Sequence, residues 1–151
     1  MKKKETRLYN VLFPVWMLIL FPGVWLIVLP GNFIIDSLVL IASMFALRVA
    51  DKKKWYKKHI LKIFIFGFLS DMIGALLPLT VTISFPADIL GDELFLTLPA
   101  VVLAAALIFV FNYFITFRKE DKGLRLKVSL IFAVATAPYT FLIPTRWLYM
   151  I

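Results

Sequence analysis

The stretch FGFLSDMIGALLP, residues 66–78, decides what kind of protein this is. It lies inside a long apolar run and carries one carboxylate, Asp71, with no lysine or arginine close to it on either side. Gly67, Asp71, Gly74 and Pro78 follow one another at intervals of four, three and four, which places them on one face of an α-helix. The other positions are mostly Phe, Ile, Leu and Met, which suit lipid or apolar packing. Small residues on a helix face let a second helix approach closely. Gly67, Gly74 and Pro78 therefore form a predicted packing or bending face, and Asp71 is turned towards protein or water rather than lipid.

Working outward, nine residues separate Asp71 from Lys62, about 13 Å of helix at the usual rise. That is close to the midplane of a bilayer whose inner boundary lies near Lys62. The composition supports a bilayer: the 151 residues are 62% hydrophobic, with a mean hydropathy of +0.93, against roughly 45–50% apolar residues in soluble domains. A body this small leaves much of its surface exposed, so the excess apolar surface faces lipid. The expected fold class is an all-α integral membrane protein, one transmembrane domain over residues 1–151.

A bilayer core about 30 Å thick takes roughly 20 apolar residues per helix. Five spans are predicted, at 8–29, 33–50, 60–84, 94–117 and 126–144. The first two are separated by the turn signal PGN, Pro30–Asn32. The N-terminal MKKKETR with its apolar run mimics a signal peptide. The run is about 22 residues long with no small-x-small cleavage site, which reads as an uncleaved first helix.

Five spans put the N-terminus, the 51–59 loop and the 118–125 loop on one side, which, counted with the adjoining helix ends, holds sixteen of the 17 Lys and Arg residues. Only Arg146 falls on the other side, where Asp88, Asp92 and Glu93 cluster. Excess basic residues mark the cytoplasmic face, so the N-terminus is expected inside and the C-terminus outside, in a plasma membrane of bacterial type. This asymmetry argues against insertion in both orientations. Tyr9, Trp55 and Tyr56 are read as aromatic anchors at the inner interface, and Trp25, Trp147 and Tyr149 at the outer one.

Ionisable residues within membranes are costly and mark pathways or partner contacts. Ser43, in the second span, and Thr136 and Thr140, in the fifth, offer hydroxyl groups at or near the level of Asp71. No basic residue is predicted at that depth. Asp36, one turn inside the outer end of the second span, extends a polar path from the acidic loop towards Asp71. Asn112 continues it towards the cytoplasm, on a face shared with Ala100, Ala104 and Thr116. Ser129, Ala133, Thr136 or Ala137, Thr140 and Pro144 form a similar face. Arg48 and Asp51, three apart, are placed to pair across one helical turn.

The remaining signals are weaker. The run KKKWYKK at 52–58 suits anionic lipid headgroups rather than nucleic acid. His59, the only histidine, has no ligating companions nearby in sequence, and there is no cysteine. No metal site and no cofactor are expected. Motifs of the form H-E-x-x-H, G-x-S-x-G and G-x-x-x-x-G-K are absent from the sequence, so the chain is not read as an enzyme.

Two functions remain open. The first is a channel or transporter subunit for a cation or proton, with Asp71 on the path and Ser43, Thr136 and Thr140 as neutral ligands. Five helices leave little room for a private path, so a parallel homo-oligomer is expected. The second is a non-catalytic accessory subunit of a larger membrane complex, in which Asp71 meets a basic residue of the partner.

Overall fold

The computed structural model describes residues 22–84 and 93–142. The described chain is helical, with no strand. Helix α1 spans Pro22–Ala46, α2 Lys52–Ser84 and α3 Glu93–Phe111; α3 runs on into a π-helical turn at Asn112–Thr116. Helix α4 covers Lys122–Ala135, and a short 3-10 turn follows at Tyr139–Leu142. Among the described residues, three segments are long and apolar enough to cross a membrane: Leu26–Ala46, Lys52–Val81 and Thr97–Thr116. The coarse expectation of a helical membrane bundle therefore holds.

The turn expected at Pro30–Asn32 does not form, because α1 passes straight through Pro30, Gly31 and Asn32. In water Pro-Gly-Asn favours a reversal. In hydrocarbon a reversal would strand several backbone N–H and C=O groups, whereas a proline within a helix removes a single N–H. The end of the predicted 8–29 span and most of the 33–50 span thus belong to one helix, which stops at Ala46 rather than at Ala50. Residues 8–21, with Tyr9, lie outside the described residues, and so does the side chain of Trp25.

The predicted fifth span at 126–144 is also interrupted. Helix α4 has 14 residues, about 21 Å, and ends with Thr136 as its C-cap. Pro138 then blocks continuation. Pro144, Arg146, Trp147 and Tyr149 lie outside the described residues.

At the other end of α4, Asp121 caps the helix by accepting a hydrogen bond from the Gly123 amide at 2.9 Å. The 51–59 segment is not a loop either. Helix α2 begins at Lys52, and a tight turn with Arg48 at φ 51° and Asp51 at φ 46° joins it to α1. Arg48 and Asp51 are therefore not one helical turn apart, and no ion pair joins them.

The two basic segments do lie at one end of the bundle. Lys58 Nζ reaches Glu120 Oε1 at 2.6 Å, and His59 Nε2 reaches the same oxygen at 3.0 Å. The core is concentrated at this end, around Leu40, Met44, Trp55, Ile63, Ile108, Phe117, Val128 and Phe132. Trp55 is buried in it, stacked on Phe117 with centroids 5.4 Å apart. It is not the interfacial anchor expected from sequence. Further along, α2 and α3 cross at Gly74, which lies against Ala100 and Ala104. Leu26, Ile27, Leu38, Phe45, Val102 and Val134 face outward, as lipid contact requires.

Candidate functional site

Two carboxylates share the middle of the bundle. Ten residues separate Asp36 from the end of α1 at Ala46, about 15 Å of helix. Asp36 is therefore deep in the apolar layer, not near its outer edge. The shallower placement depends on a helix beginning at Phe33, and α1 begins at Pro22. The Asp36 side chain is buried, and its Oδ2 lies 3.7 Å from where a Cβ on Gly67 would stand.

Asp71 follows Gly67 by four residues on α2, and the two carboxylates are close enough to interact electrostatically. Asp71 Oδ1 is enclosed and has no hydrogen-bond partner. Among the described residues neither Asp36 nor Asp71 pairs with a lysine or arginine.

The predicted packing face is divided between two neighbours. Gly67 admits the Asp36 carboxylate from α1, and Gly74 admits the backbone of α3. Asp71 lies between them, and Pro78 is buried one turn beyond Gly74. Asp36 is on the basic-loop side of Asp71, because Gly67 precedes Asp71 on α2. It does not bridge Asp71 to the acidic segment, whose Asp88, Asp92 and Glu93 side chains lie outside the described residues.

The hydroxyl groups expected around Asp71 are engaged elsewhere. Ser43 is three residues from the end of α1 and donates to Val39 O at 2.7 Å. Thr136 donates to Phe132 O at 2.8 Å. In apolar surroundings a Ser or Thr hydroxyl commonly satisfies itself on the carbonyl one turn back. Thr140 falls in the 3-10 turn, and its side chain lies outside the described residues. Beside Asp36, the Ser37 and Tyr56 hydroxyls share a hydrogen bond of 2.8 Å.

A second polar cluster lies at the basic end, and sequence reading missed its main pair. His59 is 1% exposed on its side chain and meets Glu120, 61 residues away. The His59 ring packs against Trp55 at 4.7 Å and Phe117 at 4.9 Å between centroids. Burial pushes the Glu120 carboxyl up, but hydrogen bonding from Lys58 and His59, the approach of Trp55 and the Lys58 charge outweigh it. They hold Glu120 below the ordinary 4.5. Trp55 Nε1 itself completes no hydrogen bond of normal geometry.

The π turn brings this cluster together. The Phe117 amide donates to Asn112 O, five residues back, at 2.9 Å. In an α-helix Phe117 would be rotated about 140° from Asn112. The wider turn returns it to the same buried face, where Asn112 and Thr116 are 1% and 3% exposed. Such turns concentrate at functional sites. From α4, the Arg125 guanidinium lies 3.8 Å from the ring centroid of Tyr113, a residue of the turn.

Among the described residues no three His, Cys, Asp or Glu side chains gather as a metal site would require. No family model, no curated protein and no solved structure matches the chain.

Proposed function

We propose that this protein is a small membrane subunit that carries a proton or a small cation, with Asp36 and Asp71 as paired acceptors at mid-depth. The observation that supports the reading is the pairing itself: two carboxylates from adjacent helices, deep in the apolar layer, without a lysine or arginine partner among the described residues. Like charges at close range in a desolvated site cannot both ionise cheaply. Such a pair favours holding one proton, or one cation, between two acceptors. Ionisable groups at this depth mark transport paths and proton relays.

The basic loops face the cytoplasm on this reading, in a bacterial plasma membrane. Anionic lipid headgroups sit against Lys53, Lys54 and Lys57. The assembly is a parallel homo-oligomer, since the Lys and Arg among the described residues gather towards one end of the bundle, which opposes antiparallel pairing, and so few helices leave little room for a path within one chain.

The test is ion and proton flux into proteoliposomes carrying wild type, Asp71→Asn or Asp36→Asn, each with unchanged fold and oligomer size. Flux in wild type and its loss in either variant supports the proposal. Absence of flux in wild type overturns it in favour of an accessory subunit, whose carboxylates meet a basic residue of a larger partner.

A further inference from the structure

Away from the carboxylate pair, the bundle holds a second set of buried polar atoms without partners. Asn112 has neither Nδ2 nor Oδ1 hydrogen-bonded, and Thr116 Oγ1 and Ser129 Oγ are unpartnered as well; His59 Nδ1 approaches the Thr116 backbone but completes no hydrogen bond of normal geometry. All four side chains are more than nine-tenths buried.

They belong to one region. Asn112 and Thr116 begin and end the π turn. His59 packs on Phe117, the next residue, and lies beside the Thr116 backbone. Arg125, Ser129 and Phe132 share one face of α4, at spacings of four and three. Arg125 lies over Tyr113, and Phe132 packs against Phe117 at 6.4 Å. Ser129, between them, is thereby laid against the π turn.

The region also grades outward to the surface. His59 is 1% exposed, Glu120 15% and Lys58 47% by side chain, and contacts of 3.0 and 2.6 Å link them in that order.

Buried polar atoms in proteins nearly always have partners, and here donors and acceptors are mixed. An Asn amide and two hydroxyls suit a partner that both donates and accepts, as water does through two to four hydrogen bonds. Their mixed character does not suit an anion or a metal ion. We propose that the π turn Asn112–Thr116, with Ser129 and His59, encloses bound water that exchanges with the surface beneath Lys58 and Glu120. It is a hydrated inlet at the basic end of the bundle. The inlet rests on the transport reading only for its purpose, which is to bring protons in by way of water on the side of Asp71 where Asp36 lies.

The test exploits a chain without cysteine, in which any introduced thiol reports alone. Ser129→Cys exchanges one atom, and Asn112→Cys samples the other wall. Ile108→Cys and Val128→Cys serve as buried controls in the apolar core, and exposed Lys53→Cys marks the side. Each full-length variant is treated in sealed vesicles with a small, charged, membrane-impermeant methanethiosulfonate. The reagent attacks thiolate, which apolar burial suppresses and water contact permits.

The expected result is labelling at 129 and 112 from the same side as Lys53→Cys, roughly tenfold or more faster than at 108 and 128. Labelling of Ser129→Cys no faster than Val128→Cys, in protein that is folded and monodisperse, overturns the inlet whatever Asn112→Cys does. Labelling at both positions in a protein that carries no flux keeps the inlet and removes the transport reading. Flux with a dry Ser129→Cys does the reverse.

Discussion

A Cβ added at Gly74 would stand 2.9 Å from the Cβ of Ala104 and 3.0 Å from the carbonyl oxygen of Ala100, so α2 and α3 touch backbone to backbone at this level. At Gly67, on the same face of α2, the nearest atom to such a Cβ is Asp36 Oδ2 at 3.7 Å, an ordinary contact. Two glycines that look equivalent in sequence are therefore under different constraints.

Gly74→Ala is expected to force the helices apart and to lower stability by about 1–3 kcal/mol, the usual range for overpacking a tight contact. Gly67→Ala fits without displacement and gains helix propensity of up to about 1 kcal/mol, so its stability should be unchanged or slightly higher. Thermal melts in one detergent compare the two directly. Equal losses at both positions would contradict the packing described.

The continuity of α1 leads to a second expectation. Asn32 is near the centre of a 25-residue helix, not at a turn between two spans. Asn32→Cys should therefore resist impermeant thiol reagents added to either side of a membrane, while Lys53→Cys reacts from one side. Ready labelling of Asn32→Cys would restore the turn at Pro30–Asn32 and the division of α1.

Much of the packing was legible in sequence. The spacing of Gly67, Asp71, Gly74 and Pro78 identifies the inward face of α2. Ala100, Ala104, Asn112 and Thr116 are all buried on α3 and the π turn, as their common face requires. The two basic segments, at 51–59 and 118–125, are expected on one side from the order of the spans between them, and they do meet at one end through Lys58 and Glu120.

The failures have physical causes. Pro-Gly-Asn is a turn signal calibrated in water, and lipid reverses its meaning by penalising unpaired backbone. That single misreading also displaced Asp36 to the outer edge and Ser43 to the middle. His59 and Glu120 meet only because α2 and α3 pack antiparallel, so no local pattern joins residues 61 positions apart. The π turn inserts one residue into a helical repeat without changing composition, and Phe117 then appears to belong to another face.

Phe117 carries a further prediction. It is fully buried and contacts Trp55, His59 and Phe132, so no neighbouring chain segment is free to fill its place. Phe117→Ala should cost about 3–5 kcal/mol, the range for large-to-small changes in a core that cannot collapse. Outward-facing Phe114, inside the π turn and 58% exposed, meets the adjacent Tyr113 ring edge-on at 5.0 Å, so the same change there should cost only about 0.5–1.5 kcal/mol, the worth of an aromatic pair. Denaturation midpoints of the two alanine variants decide the matter. A small loss at Phe117 would mean that the basic end of the bundle is not the core.

The Glu120 junction predicts a dependence on pH with a definite sign. The folded carboxyl titrates below its ordinary 4.5, so the folded state favours the ionised form. Its contribution to stability is complete above that ordinary value, and is lost as pH falls through it and through the lower folded value. The Glu120 share of the stability should thus hold level down to about pH 5 and decline below, as the two basic segments lose the charge that joins them. In Glu120→Gln the level part should lie lower and the part of the decline due to this carboxyl should disappear, because a neutral amide has no proton to gain. Melts of wild type and Glu120→Gln between pH 7 and 4 give that difference. Parallel curves would mean that Lys58 and His59 draw no stability from Glu120.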